Sequence, residues 1–277
     1  MLTLLNVSAS LAIASSYRTL NDGATVRNLY TGHSGYMGQI AVQAVESGFS
    51  GETDGIATTF GEIIGEGYEP ARVIDGLGKE WMTLAGYFKL HPTARSIQTA
   101  IDALEDLMQR TPAETREARR IRRIEVSTYK RAAEKAQSVV TTSFGAKFSI
   151  PFALATILHH GRSGLESFGE AAVRNSEVQR LASCVVLKEN PAYTAVYPKE
   201  QWCDITVTMD DGRTLTGSCS MTKGEPGNPV TEEELVKKFR ELGTPVWGEK
   251  LTEELLGILM KLETVSDLRA LSERLVL

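Results

Sequence analysis

Residues Cys203 to Met209 alternate apolar and polar side chains, meet Asp210-Asp211-Gly212, and are answered by a second run from Arg213 to Cys219. Asp-Gly tolerates the positive φ that a tight antiparallel turn demands, so the pair is predicted to be a β-hairpin. This feature constrains the chain more than any other, because an isolated hairpin is marginal in water and needs more strands or a covering helix. Both are at hand. Ser96 to Arg110 carries Ile97, Ile101, Leu104, Leu107 and Met108 at helical spacing, and Pro112 closes it. Ile124, Val126 and Thr128 alternate with Arg123, Glu125 and Ser127, the pattern of a half-buried strand. Ser149-Ile150-Pro151 places an N-cap hydroxyl and a first-turn proline ahead of Phe152, Ala153, Leu154, Ile157 and Leu158. Gly164 to Leu181 reads as one or two further helices, followed by a strand from Cys184 to Leu187.

The flanks are helical. Met37, Ile40, Ala41, Ala44 and Val45 form one stripe of a helix that Gly48 ends, and Gly51 to Gly78 reads as short helical pieces joined by loops. Thr231 and Glu234 form a capping box before Leu235, Val236 and Phe239, with Gly243 expected to stop that helix. Two shorter helices follow, around Leu251 to Leu262 and Val265 to Leu275. The order helical, mixed, helical predicts an α+β fold in which an α+β domain (residues 85–222) is inserted into a discontinuous all-helical domain (1–84 and 223–277).

Composition narrows the function. The chain of 277 residues has a formal net charge of −5, which argues against general binding to a phosphate backbone. The run Arg116 to Arg123 mixes its cations with acids and lacks interleaved aromatics, so it is expected to be a solvated edge and no nucleic acid is expected. No apolar run approaches the ~18–20 residues of a membrane span, and the opening Met1 to Ser16 lacks a positively charged leader. Three widely spaced cysteines, Cys184, Cys203 and Cys219, fit a reducing compartment and give no CxxC pair. A cytoplasmic protein without metal or cofactor is therefore expected. His159-His160, adjacent on one helix, face different directions and read as a polar helix end.

Two clusters could carry chemistry. Arg27, Tyr30 and His33 fall within seven residues, just ahead of the predicted helix that Met37 belongs to. Lys89, His91 and Arg95 precede the Ser96 helix at the proposed domain boundary. Cations ahead of helix N-termini suit anions, and clefts between domains are frequent ligand sites.

At these clusters the chain resembles the MmgE/PrpD family, which includes 2-methylcitrate dehydratase, cis-aconitate decarboxylase and iminodisuccinate epimerase. The family's lysine-x-x-His-x-Gly pattern and Gly-Phe-Thr-Gly turn correspond to Arg27-Asn28-Leu29-Tyr30-Thr31-Gly32 and Gly48-Phe49-Ser50-Gly51. Its second stretch corresponds to Lys89, Pro92, Arg95 and Ile101-Asp102-Ala103, and Ala146 to Ala155 resembles a helix of its smaller domain. The resemblance implies a helical domain with an α+β lid, a site between the two, and action on small di- and tricarboxylates. It also implies departures. The chain would begin inside the family's helical domain, Arg27 and Tyr30 stand where lysine and histidine are usual, Phe152 replaces a tyrosine, and Gln98 a histidine.

Two functions follow as expectations. One is a 2-methylcitrate dehydratase-like lyase, working by proton abstraction α to a carboxylate. In it Lys89, His91 and Tyr30 would be catalytic, Arg27, His33 and Arg95 would bind substrate, and another chain would supply missing helices. The other is a degenerate, non-catalytic subunit that binds carboxylates or a partner. Either would work as a homodimer or a hetero-oligomer.

Overall fold

A computed structural model describes residues 1–12, 16, 18–112 and 117–275. Arg116, singled out above, lies outside the described residues. The chain divides into two compact units, one formed by Met1–Ala85 with His91–Ser220 and the other by Gly86–Leu90 with Met221–Leu277.

In the first unit, helix α1 (Leu2–Ser10) packs on α2 (Tyr30–Glu46). Asn6 of α1 is buried but satisfied: its amide donates to the Thr53 carbonyl at 3.0 Å and its Oδ1 accepts from the Gly55 amide at 3.2 Å. On α2 the predicted stripe faces inward, with Ala41 buried and Met37, Ile40, Ala44 and Val45 half-buried. The helix starts earlier than expected, at Tyr30, so Tyr30 and His33 lie within it and only Arg27 precedes it. The helix runs through Gly32, Gly35 and Gly38, whose Cβ positions open onto empty space. Short helical pieces join residues 55 to 85, as the glycine-rich sequence implied.

The mixed part follows, with α3 (Arg95–Arg110), β1 (Ile121–Thr128), α4 (Ile150–His160), α5 (Ser176–Ser183), β2 (Val185–Glu189), β3 (Cys203–Met209) and β4 (Thr214–Cys219). The sheet order is β2-β1-β3-β4, with β1 parallel to β2 and antiparallel to β3, and β4 closing the predicted hairpin. A bulge between Ile121 and Arg123 restores Ile121 to the covered face alongside Ile124 and Val126. The arginine run is therefore not at an edge: β1 is an inner strand. Its cations are neutralised locally, Arg120 by Asp210 and Asp211 at 2.9 Å each and Arg123 by Glu125 at 3.1 Å. Strand order depends on distant partners, so local charge patterning could not reveal it.

Helix α3 lies on β3 and β4, and one position makes that approach possible. A Cβ on Gly217 would stand 2.2 Å from the Ala103 carbonyl oxygen and 3.0 Å from the Leu107 side chain. Ser149 caps α4 as expected, its hydroxyl accepting from the Phe152 amide at 3.0 Å, and residues Ile150 to Ile157 are buried throughout. One continuous core joins α3, α4, α5 and the sheet.

The second unit is dominated by α6 (Glu232–Leu259). Its capping box of Thr231 and Glu234 is present. Gly243 does not stop the helix; the break falls at Gly248 (φ 76°, ψ 164°), a backbone geometry open mainly to glycine. Gly243 is instead a packing position, where a Cβ would meet Thr252 at 3.0 Å, and Arg240 reaches Glu253 at 2.6 Å beyond the break.

Candidate functional site

The predicted residues fall into three groups. In the first, the Arg27 guanidinium lies 5.8 Å from the centre of the Tyr30 ring, and His33 is one turn farther along α2. All three are solvent-accessible, and a cation over an exposed ring is worth only about 0.5–1 kcal/mol. The second group is Lys89, whose carbonyl accepts a hydrogen bond from Lys238 of α6. Burial first, and the Lys89 charge second, hold the Lys238 amine below the usual lysine range. Lys238 was not anticipated, since nothing local marks one lysine of α6 from another.

The third group is centred on His91, only 6% exposed in the turn before α3. Gln98, fully buried one turn into α3, donates to the His91 carbonyl at 2.9 Å and the Thr93 carbonyl at 3.2 Å, fixing that turn. Where the family resemblance implied a lost histidine, Gln98 serves as a backbone clamp. The His91 ring is held from both sides. Its Nε2 lies 2.9 Å from Asp102 Oδ1, and its Nδ1 makes a short contact with the Ser163 hydroxyl, which sits just beyond α4. A carboxylate can only accept, so the proton on that side belongs to Nε2, and Nδ1 is left to accept from Ser163. Glu105, one turn after Asp102 on α3, approaches Nδ1 to 3.9 Å. Burial, with the Asp102 charge adding to it and His91 opposing it, raises the Glu105 carboxyl above the ordinary range.

This constellation can do chemistry. An imidazole with its tautomer set by a carboxylate and its other nitrogen on a hydroxyl is the arrangement of an oriented proton-transfer group. His91, Asp102 and Glu105 also bring ligand atoms within 4.8 Å of one another. The two carboxylates address opposite ring nitrogens, however. An ion taking Nδ1 and Glu105 would leave Asp102 as the group orienting the ring.

Among the described residues, the side chains in polar contact with His91 are those of Ser163, Asp102, Glu105 and Gln98, and Arg27, Tyr30 and His33 are not brought to it. Arg95 opens α3, and its charge is felt at Tyr129. Glu105 and Ser163 escaped the sequence reading, and Asp102 entered it only as part of the family's Ile-Asp-Ala stretch, without a role. The carboxylates look like ordinary polar positions of an amphipathic helix, and Ser163 is 72 residues from His91. An open cavity of about 450 Å³ beyond the carboxyl ends of β1 and β2 is lined by Tyr129, Lys130, Arg131, Glu134, Thr194 and Tyr197, none of them predicted.

The model of the MmgE/PrpD C-terminal domain matches residues 91–264. The chain is 27% identical over 214 residues to a cis-aconitate decarboxylase-like protein, oryM, of Aspergillus oryzae, an alignment covering 74% of this chain and 43% of that protein. It is 28% identical over 131 residues to human cis-aconitate decarboxylase, covering 46% and 26% of the two chains. With the cis-aconitate decarboxylase of Aspergillus terreus it shares 23% identity over 220 residues, covering 75% and 44%. The chain thus spans less than half the length of these relatives. Among the described residues, no helix is long and apolar enough to cross a membrane.

Proposed function

The chain belongs to the MmgE/PrpD family, and from that premise we propose that it is a lyase acting on a small di- or tricarboxylate, without a cofactor. The observation that carries the reading is the family match over 91–264, which opens on the oriented imidazole of His91. The relatives add support, since the substrate in their names, cis-aconitate, is a tricarboxylate.

In the proposed reaction His91 takes a proton from the carbon α to a carboxylate, and a hydroxide leaves the neighbouring carbon with its bonding pair; in a decarboxylation carbon dioxide would leave its bonding pair on carbon and the protonated ring would deliver a proton there. Asp102 holds the ring and stabilises the imidazolium as it forms, while the half-buried Ser163 hydroxyl passes the proton on. Arg27 and Arg95 are the cations proposed to hold carboxylates and offset the enolate-like charge, and Lys89 is proposed as a catalytic residue. Tyr30 and His33 are proposed as accessory polar contacts near Arg27. A 2-methylcitrate-type dehydration and a decarboxylation both pass through an enolate-like charge beside a carboxylate, and both need a proton-transfer group there.

The test is turnover of cis-aconitate and of 2-methylcitrate by the full chain in D2O, followed by NMR. Exchange or loss of the α hydrogen is expected. His91→Asn is expected to lower the rate by roughly 10²–10⁴-fold, the range of general acid–base catalysis. Binding of both acids with no exchange by the wild-type chain would overturn the lyase reading.

A second reading has its own observation. Ile63, Val73, Ile74, Leu77, Trp81, Met82 and Leu84 are all more exposed than buried, and exposed apolar surface on this scale marks a docking face. On this reading the chain is a non-catalytic subunit of a homodimer or a hetero-oligomer, with a partner chain supplying further helices. Native mass spectrometry of the purified chain and of the complex from its source decides its assembly.

A further inference from the structure

Cys203 and Cys219 are directly opposed across the β3–β4 ladder. Directly opposed residues of antiparallel strands share a face, with Cα atoms about 4.5 Å or 5.5 Å apart depending on the hydrogen-bonding pattern. Both values lie within the roughly 4.4–6.8 Å that a disulfide spans. The chain carries them as thiols. We propose that Cys203 and Cys219 are a reversible disulfide site, closed by low-molecular-weight disulfides such as oxidised glutathione, which staples strand β4 to β3.

The register that opposes them is fixed from both faces of the sheet. On the open face, the neighbouring pair Asp204 and Ser218 is joined by a hydrogen bond of 2.6 Å from the Ser218 hydroxyl to Asp204 Oδ1. Tyr193 donates its phenol to the other oxygen of Asp204. On the covered face, the next position is Gly217, where a Cβ would stand 2.2 Å from the Ala103 carbonyl oxygen of α3. A slip of β4 by one residue would bring a side chain under Ala103 and turn Cys219 to the other face, away from Cys203. The two thiols are therefore held opposite each other before any oxidant arrives.

Their environments differ in a way that sets the order of events. Cys203 is 1% exposed and packed in the main core, in one row with Thr128 of β1. Burial, followed by the nearby Cys219 and Asp204, pushes its thiol far above the ordinary thiol range. Cys219 is on the edge strand and half-exposed. The thiolate is the attacking species, so Cys219 acts first. Its sulfur attacks one sulfur of glutathione disulfide and releases one glutathione thiolate, leaving Cys219 as a mixed disulfide. The sulfur of Cys203 then attacks that of Cys219, giving up its proton as the second glutathione departs. Two protein thiols and one glutathione disulfide become one protein disulfide and two glutathiones. The protein is oxidised by two electrons and the glutathione disulfide is reduced. Cys184 lies outside this row, at the end of α5.

The experiment equilibrates the full chain with oxidised and reduced glutathione at varied ratios. Remaining thiols are then blocked under denaturing conditions and the protein is digested without reduction. Trypsin cuts after Lys199, Arg213 and Lys223, so the two cysteines fall on separate peptides. The expected result is a cross-linked pair of these peptides, a fall from three titratable thiols to one, and reversal by excess reduced glutathione. Cys184→Ser should form the same cross-link. In Cys219→Ser, Cys203 should stay reduced under identical conditions. Three surviving thiols, a lasting glutathione adduct on Cys219 that Cys203 never displaces, or a cross-link to Cys184 would each overturn the proposal.

Discussion

The mixed part of the first unit, from His91 to Ser220, and its helical opening, from Met1 to Ala85, are made of similar residues and use them in opposite ways. In the mixed part Ile97, Ile101, Leu104, Ile124, Leu154 and Ile157 are wholly buried in one core. In the opening, Trp81 is 69% and Leu84 83% exposed, and α2 buries only Ala41. The difference lies in geometry rather than hydrophobicity. The sheet offers α3 and α4 a continuous face, whereas the short pieces between residues 55 and 85 are too brief to enclose one another. The first region carries its own reason to fold, and the second presents surface that association would cover.

The most severe way to break this comparison is to give Gly217 a side chain. Gly217→Val places carbon against the Ala103 carbonyl, and should either prevent folding or lower stability by about 3 kcal/mol or more, beyond ordinary overpacking. Urea denaturation with Gly217→Ala as the milder step reads this. Next comes a matched pair. Leu104→Ala is expected to cost about 2–5 kcal/mol, as for deletion of a buried leucine, while Leu84→Ala should stay within about 0.5 kcal/mol in the isolated chain. Equal losses at both positions would show that the opening is already covered in solution, by self-association, and sedimentation would reveal it. A smaller effect is expected at the start of α4. Ser149→Ala removes the N-cap acceptor of a buried helix and should cost about 1 kcal/mol.

The finest test is of charge within the mixed part. The Glu105 carboxyl is raised in the folded chain, so between its unfolded and folded values the native state binds the extra proton. Stability must therefore fall as pH rises through that window and level off above it. Glu105→Gln should remove the decline and leave the variant more stable than wild type at pH 7–8, by thermal unfolding across pH. A variant whose pH profile matches wild type would mean that Glu105 ionises without penalty.

What the sequence made legible was local. The hairpin, the Ser149 cap and the Thr231–Glu234 box each rest on residues within a few positions of one another, and each is present. The α+β character and the family were likewise readable, because motif order survives substitution of single motif residues. Strand order was not, which is why the Arg116–Arg123 run was placed at an edge that β1 does not occupy. Gly243 looked like a helix stop because glycine usually is one, and only Thr252 packed against it shows otherwise. His91 drew notice for its place beside Lys89. Its partners did not, because Ser163 reaches it only through the packing of α3 and α4, and Asp102 only through the turn that Gln98 clamps.

The position of β1 has a consequence for how the chain is made. Among the described residues it is the first strand of its sheet in chain order, yet it sits between β2 and β3, both encoded after α4 and α5. Its two rows of backbone groups find no partner in this sheet until β2 and β3, beyond α4 and α5, have also been made. Sheets assembled from such distant segments form slowly, because loop closure precedes any reward. During that interval β1 and its apolar face are exposed to other nascent chains. The four arginines of 119–123, closely spaced beside this strand, then take on a second meaning, as charge that keeps an unpaired strand from finding the wrong neighbour.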